Sequence, residues 1–187
     1  AQALRRDALL EALHARFGAV HVAATQATSG RLRIAYAHPG RLGVDRFLAL
    51  LAASEDAQPT LLVGVGTALT VDLLDAGGLH RGGRIAPSPA LMREALHRRA
   101  AVLPLAGGDY VEFAGDTGDA LASGCQGAAV GLVERSLAQA TRLLSAPPRV
   151  WLHGGGAPAL RAELPPHAWL PDVVLRGLSA WQAQRIA

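Results

Sequence analysis

Residues 62–88 read LVGVGTALTVDLLDAGGLHRGGRIAPS, rich in Gly, Thr and Asp and without a lysine. From Thr60 the order is strand, tight turn, strand: TLLVGVG, then TALTVDLL, then a turn at Asp75-Ala76-Gly77-Gly78, then LHRGGRIAP. Two strand runs that meet at a glycine turn, followed by a third after a second such turn, predict an antiparallel β-meander.

Glycine turns of this kind raise the question of phosphate. The Walker A loop needs a Lys to reach the outer phosphates, and this chain has none. The dinucleotide fingerprint fails as well, because Gly64-Val65-Gly66 lacks its third glycine and the next segment is a strand instead of a helix. A hairpin turn can instead aim backbone N–H groups and a Thr hydroxyl at phosphates, with a carboxylate nearby for Mg²⁺. Gly66-Thr67 followed by Thr70 and Asp72 has that chemistry, although an ordinary hairpin with a buried glycine explains the same letters.

Outward from this core, AQALRRDALLEALHARFG reads as a helix burying Leu4, Leu9, Leu10 and Leu13, and it opens without Met, so an N-terminal segment is expected to precede it. AVHVAATQ (19–26) and RLRIAYA (31–37) alternate as strands. VDRFLALLAAS (44–54) returns to helical spacing, and YAHPGRLGVDRF (36–47) sets an Asp-Arg pair where strand gives way to helix. Helix N-terminal amides and an Arg favour an anion there, while a helix cap with a surface ion pair would look the same. Further helices are expected over 89–100 and 117–146, the latter with a small-residue side (Ala122, Ser123, Gly124, Gly127, Ala128, Gly131) suited to close packing by another backbone. RVWLHGGGAPALRAEL predicts strand, glycine turn and helix, and VLRGLSAWQAQR a closing helix.

Composition limits the function classes. Half of the 187 residues are apolar, enough for a substantial core, and no apolar run reaches the ~18 residues a spanning helix needs. Cys125 is alone, so no internal disulfide forms and a reducing cytoplasm is the expected location. The formal charge of +3 is modest; the one basic cluster, Arg93, His97, Arg98 and Arg99, has no interleaved aromatics and reads as a solvated helix face, so no nucleic-acid partner is expected.

Six motifs in order, GVDRF, VGVGTALTVD, GGRIAPSPALMREAL, AAVLP, GDTGDALASGCQGA and WLHGGGAPAL, resemble those of type III pantothenate kinases, the Bvg accessory factor family, over about Val20–Leu160. The resemblance implies an α/β, actin-like ATPase (ribonuclease H-like) fold of two similar α/β domains with a nucleotide cleft between them. On that plan residues 1–59 are the remainder of the N-terminal domain, 60–175 the C-terminal domain and 176–187 a closing helix. It also implies a homodimer, ATP and Mg²⁺, a monovalent cation such as K⁺ or NH₄⁺, and phosphorylation of pantothenate at the start of coenzyme A synthesis. A non-catalytic relative acting as a regulatory dimer is the alternative.

Carried over by motif, Asp45 would be the general base for the pantothenate hydroxyl. Tyr36, Gly43, Val44 and Arg46 would hold the substrate, Thr117 would reach pantothenate bound mainly by a partner subunit, and Gly66 and Thr67 would bind ATP phosphate. Gly154, Gly155 and Gly156 match a later glycine turn on the adenosine side, where a plain strand-to-helix turn would also do. Cys125 reads as a buried thiol.

The departures from the pattern also bear on function. The family's opening D-x-G-N-T is absent from the chain, and without it catalysis is not expected from these residues alone. Gly64 stands where a cation-binding Asp is usual, which leaves the metal ligands unassigned. Asp116, Ala100 and His153 replace the usual Asn, Thr and Thr.

Overall fold

The computed structural model describes residues 2–186, with the side chains of 1–4, 186 and 187 outside the description. Its centre is a five-stranded sheet in the order β5-β4-β3-β6-β7, with β3 (Thr60–Val65), β4 (Ala68–Leu74), β5 (His80–Pro87), β6 (Arg149–His153) and β7 (Ala168–Trp169). The meander β3-β4-β5 is antiparallel as expected; β6 joins β3, and β7 joins β6, in parallel. The turn at Asp75 is locked by its own carboxylate, whose Oδ1 accepts from the Gly77 and Leu79 amides at 2.9 Å each.

Strand alternation gives the sheet two buried faces. Leu61, Val63, Leu69, Val71 and Leu152 pack under Ala129, Val130, Val133 and Ala140 of α4 (Thr117–Leu144). Leu62, Leu74 and Trp151 face the other way, onto α2 (Val44–Ser54) and Val173 and Trp181 of α5 (Val173–Ile186). Nine of the eleven residues of α2 are buried, so this helix is hydrophobic nearly all round and is wedged between sheet and α5. Its contact with α5 is intimate: any side chain at Gly177 would strike the Leu48 carbonyl.

α3 (Pro89–Arg99) starts on Ser88, whose Oγ accepts from Leu91 N at 3.2 Å, with Pro89 in the first turn where no amide partner is needed. α4 starts on Asp116, which accepts from Gly118 N and Asp119 N at 2.7 and 3.1 Å, and ends on Ser145 in the left-handed conformation (φ 59°). Cys125 is buried and free, as expected, and burial pushes its thiol above its ordinary range against a smaller opposing effect of Arg93.

Three expectations fail, each for a physical reason. The strands expected over 19–26 and 31–37 reduce to β1 (Thr28–Ser29) and β2 (Leu32–Arg33): alternation prescribes an extended chain but cannot supply a neighbour to pair with. α1 (Gln2–His14) forms, yet Leu9 is 60% exposed and Leu10 and Leu13 are half-buried; Leu4 lies outside the described side chains. The small side of α4, by contrast, does meet another backbone as expected: Ser123 Oγ accepts from Val111 N at 2.8 Å and donates to Asp109 O at 3.4 Å, and Gly127 faces the Tyr110 ring, while among the described residues nothing approaches Gly124 or Gly131. After the glycine turn only a 3₁₀ turn at Ala157–Leu160 follows β6, since Pro158 suits a helix start while Pro165-Pro166 stop its extension.

Candidate active site

The N-terminus of α2 is pinned to the sheet by a buried ion pair. Arg46 is 6% exposed, and its Nε and Nη2 donate to Asp72 Oδ2 and Oδ1 at 2.7 and 2.6 Å, the two-pronged geometry for which guanidinium is built. Asp72 lies on β4, and its Oδ1 also takes a hydrogen bond from His80 Nε2 of β5 at 3.0 Å. An ionised carboxylate only accepts, so His80 carries its proton on Nε2, while its Nδ1 is buried with no partner among the described residues. Tyr36 stacks on His80, ring centroids 5.7 Å apart, with the Arg46 guanidinium 6.0 Å from the Tyr36 ring centre.

Burial alone would raise the Asp72 carboxyl; the hydrogen bonds from His80 and Arg46 and the Arg46 charge win and hold it below the usual carboxylate range. Burial works against the Arg46 charge too, and Asp72 more than offsets it, so the guanidinium is held above its ordinary value. Asp72 is therefore a structural counter-ion and not the Mg²⁺ carboxylate its letter position suggested.

Gly83 makes this arrangement possible. A Cβ there would run into Asp72 Oδ1 and stand 2.5 Å from Arg46 Nη2. Gly83→Ala is expected to cost about 1–3 kcal/mol by overpacking and to lower activity through the displaced Arg46, checked by thermal melting and steady-state rates.

With Arg46 committed inward, its neighbour points out. Asp45 is exposed in the first turn of α2, and its Oδ1 curls back over Gly43, standing 2.6 Å from where a Cβ on that glycine would be. Gly43 is the helix N-cap and Val44 is 41% exposed, so Gly43, Val44, Asp45 and the half-buried Tyr36 form one accessible lip around the buried pair. A negative charge is favoured at the positive end of a helix, which suits a carboxylate in this first turn.

The second cluster lies at the carboxyl ends of β3 and β6, where open α/β sheets receive ligands. Gly66 and Thr67 are exposed in the two-residue turn from β3 to β4, closed by Gly66 N donating to Ala68 O at 2.9 Å. The glycine turn after β6 folds directly against it: Gly156 N donates to Val65 O at 2.9 Å, and Gly154 holds φ 96° with no room for a side chain beside Val65. Between the clusters, His153 lies beside Gly64 in register. Burial lowers the His153 imidazole below its ordinary range, and the charges of Asp45 and Asp72 oppose that shift. His153, next to Gly64 on β3 and under the electrostatic influence of Asp45, is the residue that relates the two clusters. Thr117 does not join them directly; it is exposed at the start of α4, the helix on the opposite face of the sheet.

Sequence reading placed Asp45 and Arg46 together as surface candidates but missed the roles of Asp72, His80 and Gly83. The available signal was Asp72, a charge inside the largely apolar strand run ALTVDLL that requires a partner once buried.

As to metals, no group of three or more His, Cys, Asp or Glu side chains among the described residues could hold an ion. Gly64 offers no side-chain oxygen, and the His153 ring fills the adjacent space, with Cε1 and Nε2 2.9 Å from a Cβ at 64. A cation site built on residue 64 does not fit this chain. A Mg²⁺ carried on nucleotide phosphates, which needs few protein ligands, is compatible with it.

Comparison with known proteins agrees with this geometry. The family described as type III pantothenate kinase matches residues 3–139. Curated proteins named type III pantothenate kinase match closely. That of Stenotrophomonas maltophilia strain R551-3 is 59% identical over 97% of this chain and 74% of its own length. That of Xanthomonas axonopodis pv. citri strain 306 is 58% identical over 92% of this chain and 71% of its own. Among solved structures, a Baf family transcriptional activator from Campylobacter jejuni superposes with a TM-score of 0.62 at 20% identity, covering 78% of this chain and 66% of that one, a likeness of fold. The sheet with helices on both faces is the α/β architecture expected from the motifs, and the chain belongs to the type III pantothenate kinase family.

Proposed function

We propose that this protein transfers the γ-phosphoryl group of ATP to the hydroxyl of pantothenate, giving 4'-phosphopantothenate for coenzyme A synthesis. The observation that carries the reading is an exposed carboxylate, Asp45, in the first turn of α2 beside the buried Arg46–Asp72 pair, in a chain of this family. Phosphoryl transfer asks little covalent chemistry of a protein; it asks for positioning and charge stabilisation. Asp45 orients the attacking hydroxyl and takes its proton, and the backbone at Gly43 and Val44 with Tyr36 holds the substrate. Arg46 has Nη1 left over for a substrate oxygen, because Asp72 occupies only Nε and Nη2. Gly66 and Thr67 face the phosphates, whose Mg²⁺ supplies electrostatic relief when bound.

Thr117 acts on substrate bound mainly by a partner subunit, which makes a homodimer part of the reading. The division at 59/60 is one of ancestral units, since α2 from the first packs on the sheet of the second. Location in the cytoplasm follows from the pathway; among the described residues no helix is long and apolar enough to cross a membrane. An active enzyme is favoured over a non-catalytic dimer because Arg46, Asp72 and His80 hold Asp45 outward at the expense of burying charge.

The test is pantothenate phosphorylation by the purified full-length gene product with ATP and Mg²⁺, run with and without K⁺ or NH₄⁺. Turnover is expected, and it should be indifferent to the monovalent cation because His153 occupies the ground beside Gly64. Strict dependence on K⁺ would mean that a cation binds elsewhere, and no turnover from a folded protein would overturn the kinase reading.

A further inference from the structure

Gly64 and His153 share one space. They are direct partners across β3 and β6, and an ideal Cβ on Gly64 would stand 2.9 Å from both Cε1 and Nε2 of His153 and 2.7 Å from Thr70 Oγ1. The imidazole therefore lies over the glycine, on the sheet face that carries Asp72 and the N-terminus of α2.

What the ring does there follows from its neighbours. His80, His97 and His167 each have one ring nitrogen hydrogen-bonded within the chain, whereas His153 has no such partner among the described residues. Its surroundings on that face are acidic: Asp45 at the N-terminus of α2 and Asp72 on β4 both act on the ring through space, and the charge of each favours its protonated form. Asp72 already receives Arg46 on both oxygens and His80 on one. Asp45 is the carboxylate left.

We propose that His153 is a positioning residue: its imidazole, seated in the side-chain space that Gly64 leaves open, steers the Asp45 carboxylate toward the substrate hydroxyl. This rests on the kinase reading above. A neutral imidazole has one N–H to offer Asp45 without neutralising it, and burial favours that neutral form. Gly64 is the other half of the device, since a side chain at 64 displaces the ring even though the backbone is unchanged.

The test uses His153→Ala, His153→Gln, Gly64→Ala and the double variant Gly64→Ala/His153→Ala. His153→Ala should lower kcat about tenfold, the scale of a slightly misplaced reacting group, with KM for pantothenate and ATP and the melting temperature little changed. His153→Gln, which retains an N–H, should recover part of the rate, and also serves if the alanine variant folds poorly. Gly64→Ala should reproduce the loss, and the double variant should be no worse than His153→Ala alone. The second readout is independent of turnover: NMR titration of the His153 ring in wild type and Asp45→Asn. Removing the Asp45 charge should move the midpoint to lower pH. An unchanged kcat in His153→Ala, a loss confined to KM, additive effects, or a midpoint unmoved by Asp45→Asn would each overturn the proposal. A wild type that fails to phosphorylate pantothenate overturns the kinase reading instead, and the NMR arm still decides whether His153 and Asp45 are coupled.

Discussion

Asp45→Asn is expected to reduce pantothenate phosphorylation by about 10²–10⁴-fold, the range for loss of a positioned general base, with the fold intact. The side chain is exposed, so the change removes little beyond a favourable charge at a helix N-terminus, about 0.3–1 kcal/mol. Rate and stability should therefore separate: a near-normal melting curve and near-normal calorimetric binding of pantothenate, beside an almost silent assay. The amide keeps the shape and can still accept one hydrogen bond from the hydroxyl, so the loss measures proton acceptance and charge more than crowding. An unchanged kcat would remove Asp45 from the chemistry altogether.

Asp72→Ala should do the reverse, harming the fold first. Asp72 is 2% exposed and Arg46 6%, so deleting one partner leaves a guanidinium charge in the interior, at a cost of about 3–5 kcal/mol. For a chain of this size that is a fall in melting temperature of roughly 10 °C or more. Replacing both members by apolar residues, as in Arg46→Met/Asp72→Leu, should recover most of the stability and none of the activity, because α2 would then be seated without its guanidinium. The pH dependence has a definite sign. The folded carboxyl is held below its unfolded value of about 3.9, so its stabilisation is complete above that pH and drains away as pH falls through the lower folded value. Acid unfolding of the wild type should therefore show a component below about pH 4 that Asp72→Ala lacks. Equal acid sensitivity in both would mean that the pair contributes nothing net.

The parts of the molecule legible in the sequence are those set by local rules. Helix α2 occupies 44–54 because its apolar residues and starting glycine are local, and the meander is written in its turn residues. The Asp45 position was legible through its motif. The Arg46–Asp72–His80 group was not, since 26 residues separate Arg46 from Asp72 and only the crossing of α2 over β4 brings them together. Gly64 presented itself as a loss of a ligand, and only the register of β3 against β6 shows that His153 stands in the space. The strands expected over 19–26 and 31–37 failed on the same ground: pairing is a relation between segments, and one segment's alternation does not contain its partner.

The crossing of α2 and α5 at Gly177 has a consequence for how the protein is made. During synthesis α2 leaves the ribosome more than a hundred residues before the helix that backs it, and the strand that carries His153 is also late. Translation proceeds at about 5–20 residues per second, so the nascent chain waits several seconds with an apolar helix and a charged arginine unsheltered. Through that interval a chaperone that recognises apolar helices has its opportunity, and the seat of Arg46 is backed only once α5 has followed.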